Sequence, residues 1–456
     1  MSDHRDVVVV GAGVIGLSAA WRAARSGRSV TLVDPQPGRG ATWAAAGMLA
    51  PVAEAHFGEE VLAALNVAAA AAWPGFAGEL EAASGQCVHF RADGTLLVAG
   101  DPSDREATDR VHAFHQAIGL ASTRLGARAC REAEPLLAPG ISGGVDLPGD
   151  HQVDNRAVAA ALVTACRRAG VTTVTDEVTR IDVEGAGVRG VTLAGGARIA
   201  AGAVVLAAGS RSGDVDGVPE AFRPPVRPVR GVTVRLRAPD GVPRLRRTVR
   251  ALVHGRSCYL VPRDDGGLVL GATVEERGSA LDVPLGGLAD LVDDARRVVP
   301  ALDEYSVVEL APGLRPGSPD NGPIVGTTSV TGLVMATGHY RNGVLLARPP
   351  PTRWWPCSMR STPTSHPRPG PSTPSAPRGS HPRRRMGPLP CGGPAGPVET
   401  DDCRDHGQRR CLCTGSGYHR RRPRRRALPL APWRGGRRQR RGGAAQHVVP
   451  HRGGSG

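Results

Sequence analysis

Glycines at positions 11, 13 and 16 follow a run of four valines, Val7–Val10, and open an alanine-rich segment, Leu17–Arg25. A second β-branched run, Ser29–Val33, ends at Asp34. The order is strand, glycine turn, helix, strand, acid. In that order each residue type has a mechanical reason. Gly11 permits a tight turn, Gly13 lets the backbone approach a pyrophosphate, and Gly16 lets the helix pack closely on the strand. The helix start, with Val14 and Ile15 behind Gly13, offers free N–H groups and a partial positive charge to phosphates. Asp34 is placed to accept hydrogen bonds from ribose hydroxyls. Alone, the glycines would read as a structural turn; the flanking strands, helix and acid make this a dinucleotide site.

The loop after Asp34 narrows the choice of dinucleotide. Ala41, Thr42, Ala46, Gly47 and Met48 belong to a stretch of mostly small residues ending at Pro51. Such a loop can lie flat against a bulky planar ring. The apolar run Ala203–Ala208 ends at Gly209, and a late segment runs from Gly338 to Gly343, giving two further points of backbone approach. The bland alternative is ordinary α/β loops. Together these features favour an extended FAD over a nicotinamide.

The elements that must position these residues alternate in type. Val7–Val10 and Ala203–Leu206 read as strands buried on both faces. Asn155–Ala169 and Leu285–Val299 read as helices, and Val171–Val174 as a strand. Val188–Leu193 with Ala197–Ala200 reads as a hairpin, and alternating β patterns fill Val229–Leu236 and Tyr259–Thr273. Gly332–Gly338 is a last strand, and His339–Ala347 should start a helix. Parallel α/β units interleaved with antiparallel runs predict two domains, each assembled from several pieces of chain. The expected class is mixed α/β: a Rossmann-like FAD-binding domain (1–84, 151–222 and 311–347) interleaved with an antiparallel-sheet substrate domain (85–150 and 223–310).

Charge divides the chain sharply. The formal net charge of +15 suggests an anionic partner such as nucleic acid. Residues 348–456, however, hold 23 Arg against four acidic residues, a net of +19, which leaves −4 for the first 347 residues. The body is mildly acidic, so no nucleic-acid partner is expected for it. Its four cysteines, Cys87, Cys130, Cys166 and Cys258, have no paired spacing, which argues against disulfides or a zinc site. The most alanine-rich stretch, Val61–Trp73, is short and weakly apolar, so no membrane span is expected. Asp3–Asp6 leads straight into a strand-like run with no signal-sequence pattern, and a cytoplasmic setting is the expectation.

Six segments in register add a family likeness: Ala44–Pro51, Tyr259–Arg263, Gly271–Glu276, Gly313–Pro316, Asp320–Pro323 and Gly338–Gly343. Over residues 5–347 the chain resembles the D-amino-acid-oxidase-like flavoproteins, and within them the glycine oxidases of thiamine-thiazole assembly. The resemblance implies non-covalent FAD and oxidative deamination of glycine or a similar small amine or D-amino acid. The α C–H hydride would pass to the flavin, the imine would hydrolyse, and molecular oxygen would be reduced to hydrogen peroxide. It implies carboxylate-binding roles for Arg341 and Arg315, with the Tyr259 hydroxyl donating to the same carboxylate; these are the three candidate catalytic residues. An arginine is permanently charged and bidentate, which suits a fixed carboxylate ligand in a dry site. The resemblance also implies backbone contact of Val178 with the adenine and of His339, Tyr340, Asn342, Gly343 and Val344 with the flavin. Relatives form tetramers, so a homo-oligomer is within the implication. The cysteine that tethers flavin in sarcosine-oxidase relatives has no counterpart at Tyr340–Asn342. A dehydrogenase with a non-oxygen acceptor is the enzymatic alternative. An inactive flavoprotein with a basic, nucleic-acid-binding tail is the other.

After Ala347 the pattern stops. Arg348-Pro-Pro-Pro351 cannot continue a helix, and the following residues turn to Arg, Pro, Gly and scattered Cys without periodicity. A basic arm, a regulatory disordered extension and out-of-frame translation of a GC-rich gene are the three readings. The last accounts best for a break inside a family element. Cys411-x-Cys413 with His406 and His419 lacks a closing ligand pair at zinc spacing, so no metal is expected.

Overall fold

A computed structural model describes residues 5–348. The expectations placed on the tail, that it is disordered, out of frame and metal-free, fall on 349–456 and lie outside the described residues.

The valine run closes strand β1 (Arg5–Val10), and Val7, Val8, Val9 and Val10 are all buried. Successive strand side chains face opposite ways. Val7 and Val9 accordingly enter one apolar core and Val8 and Val10 a second. Helix α1 (Val14–Arg25) and strand β2 (Val30–Val33) follow. Next come the short helix α2 (Ala41–Ala44), β3 (Met48–Leu49) and the long α3 (Glu60–Ser84). The chain continues through β4 (Thr95–Ala99), α4 (Pro102–Ala117), β5 (Thr123–Leu125) and α5 (Ala127–Ala133). Then follow β6 (Gly143–Leu147), β7 (His151–Gln152), α6 (Asn155–Arg168) and β8 (Thr172–Val174). A meander of β9 (Val178–Glu184), β10 (Gly187–Leu193) and β11 (Arg198–Leu206) comes next. Strands β12 (Arg227–Arg237), β13 (Thr248–Val253), β14 (Arg256–Pro262) and β15 (Gly267–Gly271) precede helix α7 (Leu285–Val298). The described chain ends with β16 (Ser306–Gly317), β17 (Ile324–Thr327) and β18 (Leu333–Thr337).

The strands form two large sheets. The first has the order β17-β18-β11-β1-β2-β8, parallel except at β17, with β9 and β10 continuing from β11. Its helical face, α1, α3 and α6, carries the larger core; the meander covers the other. The second sheet has the order β16-β12-β15-β14-β13-β4-β6-β5 and packs on α7. It is antiparallel except for one pair, since β4 runs parallel to β13. Both sheets draw strands from separated parts of the chain, so the interleaved mixed α/β class holds. Strand β16 carries the second sheet to Gly317, past residue 310.

Several elements differ from expectation. Ala197–Ala200 and Ala203–Leu206 are one continuous strand, β11, whose first part pairs with β10 and whose last part lies between β1 and β18. Helix α4 has no apolar stripe to announce it, yet its start signal is plain: the Asp101 side chain accepts from the Asp104 N–H at 2.8 Å with proline at the first turn. His339–Ala347 is not a regular helix within the described residues. It forms two short 3-10 turns, Tyr340–Asn342 and Leu345–Ala347, and Arg348 is extended. A residue before proline is pushed out of helical backbone, which accounts for Arg348.

Val61–Trp73 is only the first half of α3. Pro74 does not end the helix, because Phe76, Ala77 and Leu80 continue its buried face. Of the described residues, α3 is the one helix long and apolar enough to cross a membrane by length and composition. Here Trp73, Phe76 and Leu80 are fully buried, and Phe76 meets Trp73 edge-on at 5.1 Å. The Trp73 indole N–H donates to the Leu345 carbonyl at 2.8 Å, anchoring Leu345, Leu346 and Ala347 in the core. Trp73→Phe leaves that carbonyl unpaired in an apolar setting, at a cost of about 1–3 kcal/mol. The expected result is a melting temperature lower by several degrees; an unchanged melt would show that the bond adds nothing.

Candidate active site

The glycine turn is built as its sequence requires. A Cβ on Gly16 would lie 1.9 Å from the Gly11 carbonyl oxygen, and one on Gly11 would lie 2.4 Å from that of Ala207. Gly13 is different: its nearest neighbour is the Thr42 hydroxyl at 3.2 Å, so its open side faces away from the packed crossing. Helix α1 has no acidic side chain in its first turn. Thr42 Oγ1 accepts from the Val14 N–H at 2.9 Å, and Ile15 follows in the same half-buried turn. Asp34 accepts from the N–H groups of Ala12 at 2.7 Å and Gln36 at 2.6 Å. A carboxylate has about four acceptor positions, so capacity for a diol remains.

Loop 41–48 lies between the two sheets and is held from both. The Asn155 amide donates to the Thr42 carbonyl at 2.7 Å. Arg263 donates to the Ala46 carbonyl at 2.7 Å and Arg235 to that of Ala45 at 3.0 Å. Gly47 has φ +75° and lies against the Val153 carbonyl, which a Cβ would reach at 2.0 Å, and Met48 pairs with Gln152 in a two-residue ladder. Ala41 is half-buried and Ala46 buried.

The C-terminal edges of β1, β11 and β18 stand side by side, so Gly11, Gly209 and Gly338 gather at one edge. The Thr337 hydroxyl donates to the Gly209 carbonyl at 3.1 Å, and Gly209, at φ +59°, has open space where a Cβ would be. Beyond β18, His339 is buried, and burial pushes its pKa down to about 4, so it is neutral. Tyr340 adopts φ +44°, a left-handed conformation that costs energy for a bulky residue. Asn342 is buried with its Nδ2 donor lacking a partner, and Gly343 and Val344 continue in helical backbone. Val178 starts β9 and belongs to the meander-side core. An open glycine edge, an uncompensated helix start and an orphaned amide donor fit an extended FAD, for which 11–16 would hold the phosphates, Asp34 the ribose, and loop 41–48 with 338–344 the flavin.

Next to that edge lies a charged cluster. Tyr259 on β14 stands directly opposite Arg250 on β13. Its ring occupies the space over Gly271, where a Cβ would meet Tyr259 Oη at 2.3 Å. Arg315 on β16 likewise crosses Gly231, whose Cβ would meet its Nη1 at 2.2 Å. Both glycines thus make room for a neighbouring strand's large side chain. Arg315 donates to the carbonyls of Thr273 at 3.2 Å and Arg230 at 3.3 Å. Burial raises the Tyr259 pKa, partly offset by the neighbouring charges of Arg315 and Arg250, so the phenol stays protonated and can donate.

Arg341 is already engaged. Its Nε lies 2.9 Å from Glu54 and its Nη2 3.3 Å from Glu59. The Nε is nonetheless a buried donor without an aligned acceptor, so the Glu54 contact is an ion pair without good hydrogen-bond geometry. The other Glu54 oxygen accepts from Arg250. Burial opposes ionisation of Glu54, but Arg250, His56 and Arg341 outweigh it and hold its pKa far below the usual carboxylate range. Tyr259 and Arg315 are thus brought together, while Arg341 joins them through Glu54 and Arg250. Among the described residues no carboxylate pairs with Arg315. Glu54, Glu59 and Arg250 were not anticipated. The strand glycines 231 and 271 were the available signal, since an interior glycine marks close approach.

Residues 6–349 match the family described as FAD dependent oxidoreductase, DAO. The chain belongs to this DAO family of FAD-dependent oxidoreductases. It is 33% identical over 350 residues to the bifunctional protein ThiO/ThiG of Trichormus variabilis, covering 75% of this chain and 51% of that protein. The chain therefore spans about half the length of that relative. It is also 33% identical to the glycine oxidase of Geobacillus kaustophilus, over 76% of this chain and 91% of that enzyme. The crystal structure of that glycine oxidase superposes with a TM-score of 0.70 over 75% of this chain and 91% of that one. The structure of iminodiacetate oxidase from Chelativorans sp. BNC1 gives 0.65 at 25% identity, over 75% and 92%. The DAO match carries FAD as the cofactor, in agreement with the cradle.

Two outcomes follow from this geometry. Gly16→Val forces a side chain onto the Gly11 carbonyl, and purified variant should lose bound FAD, read as the loss of flavin absorbance; undiminished yellow protein would contradict the crossing. Asp150 is fully buried and accepts from Val52 N–H at 2.8 Å and Ala53 N–H at 2.9 Å. Desolvation nevertheless pushes its pKa from 3.8 up to about 7. A raised carboxyl pKa means the neutral form is favoured in the fold. Its contribution is full below 3.8 and is lost as pH rises to about 7. Asp150→Asn should therefore gain melting temperature relative to wild type between pH 5 and pH 8; parallel profiles would refute the shift.

Proposed function

We propose that the chain is an amine oxidase that oxidatively deaminates glycine, or a comparably small amine or D-amino acid, to the corresponding carbonyl compound and ammonia or the free amine, with hydrogen peroxide formed from oxygen. For glycine the balance is glycine, water and oxygen going to glyoxylate, ammonia and hydrogen peroxide. The observation that carries this reading is Arg315. It is a fixed cation beside a protonated tyrosine, with no carboxylate partner among the described residues, next to the edge that fits the flavin. A substrate carboxylate supplies the missing partner, accepting from Arg315 and from the Tyr259 hydroxyl. That grip holds the α carbon of a small amino acid in place, and positioning is most of what such a reaction asks of the protein. FAD, when bound, supplies the two-electron acceptor for the α C–H hydride.

Burial supports the chemistry in a second way. The protonated Tyr259 places no anion, and the neutral His339 no cation, in this buried setting. Arg341 contributes through its ion pairs, orienting the segment 340–344 that lies beside the flavin position. The likeness to ThiO/ThiG and to glycine oxidase supports glycine as substrate and a role in thiamine-thiazole assembly.

Peroxide release measured with glycine, sarcosine and D-alanine tests the reading. Turnover is expected on at least one of them. Arg315→Met should raise KM by about two orders of magnitude, in line with about 2–3 kcal/mol for a lost charge-assisted bond, with FAD retained. Dye reduction without peroxide would mean a non-oxygen acceptor. Unchanged kinetics in Arg315→Met would remove the carboxylate assignment.

A further inference from the structure

We propose that Glu54 and Arg250 set the charge selectivity of the amine site, so that it accepts a substrate carrying one carboxylate and rejects one carrying two. The proposal rests on the amine-site reading above and specifies which amines fit it.

Three guanidinium groups, Arg250, Arg315 and Arg341, meet two carboxylates, Glu54 and Glu59. Glu54 bridges two of the cations, accepting from Arg250 Nη1 and lying 2.9 Å from Arg341 Nε. Glu59 pairs with Arg341 at 3.3 Å and also accepts from the Asn321 amide at 2.7 Å. Arg250 is the strand partner of Tyr259, and Tyr259 is beside Arg315, so the cluster is continuous. The side chains of Glu54 and Arg250 are 11% and 12% exposed. Charges so placed are poorly screened by solvent and salt.

Three positive and two negative groups leave one positive charge. One carboxylate on the ligand completes the balance. A second acidic group would leave an uncompensated negative charge in a shielded site, and an unpaired buried charge is costly. Glu54 is thus an internal anion occupying the place that a second ligand carboxylate would take between Arg250 and Arg341. Two other ionisable groups face the same loop. His56 Nε2 lies 3.9 Å from Glu54, and Asp150 holds the Val52 and Ala53 N–H groups from behind. Both are present in wild type and variants alike, so the change in the ratio between them at one pH is referred to Glu54 and Arg250.

The test uses FAD-loaded full-length chain and two non-reacting acids, acetate and malonate, titrated at one pH with the flavin absorbance shift as readout. Wild type should bind acetate more tightly than malonate. Glu54→Gln keeps the shape but removes one negative charge, and should raise the malonate-to-acetate affinity ratio by roughly tenfold or more. Adding Arg250→Gln to Glu54→Gln returns the net charge to its original value and should bring the ratio back toward wild type. A ratio unchanged in Glu54→Gln overturns the proposal, as does a double variant that keeps the raised ratio, because shape would then be the cause. Glycine turnover by wild type with an unchanged ratio sinks this assignment alone. Protein that neither oxidises glycine nor binds either acid sinks the amine-site reading with it.

Discussion

The crossing of Gly16 over Gly11 governs the geometry of everything around it. Helix α1 leaves strand β1 so closely that no Cβ fits at either position, and Gly11 in turn sits against the Ala207 carbonyl at the end of β11. One close contact therefore ties β1, α1 and β11 together at their functional ends. It also sets where the helix start points. With no acid in the first turn, its partial positive charge remains for an anion. The lateral order of β11 and β18 then brings Gly209 and the 338–344 segment to the same edge.

The second organising feature is loop 41–48, the wedge between the two sheets. Its carbonyl groups are taken by Asn155 from the first sheet's helix α6 and by Arg235 and Arg263 from the second sheet. These arginines sit close together, and burial together with Arg156 and Arg263 lowers the Arg235 pKa to about 10. Arg156 also stacks on Trp43 at 3.6 Å and pairs with Glu309 at 2.8 Å. A loop of small residues has little packing of its own, so its rigidity comes from these donors. The two sheets are consequently linked through one short segment.

The charged cluster behaves by a different rule. Hydrogen-bonded backbone fixes the glycine edge and loop 41–48, but mutual neutralisation fixes the charged cluster. Glu54 stays ionised despite its burial because Arg250 and Arg341 face it. Removing either partner changes the charge seen by a ligand as well as the local packing. Arg315 stands apart because its acceptors are carbonyl groups, which satisfy its N–H donors without cancelling its charge.

Much of the cofactor half was legible in the sequence. Gly11, Gly13, Gly16 and Asp34 are local, and their spacing is set by the fixed geometry of strand, turn and helix. The valine run marked β1 as central for the same reason. Loop 41–48 was recognisable by its small residues and the 338–344 segment by its flanking glycines and the family likeness. The charged cluster was only partly legible. Tyr259 and Arg315 were identified through family likeness, while Arg250, Glu54 and Glu59 were not, because ion pairs between residues some 200 apart leave no spacing to read. Helix α3 was not among the expected helices; it runs through Pro74, where a proline normally breaks a helix, because the buried Phe76 and Leu80 outweigh it. Local backbone rules determined the dinucleotide turn from the sequence alone. Only the tertiary structure decided which arginine of the cluster has no carboxylate partner among the described residues, since that depends on which carboxylates the fold brings within reach.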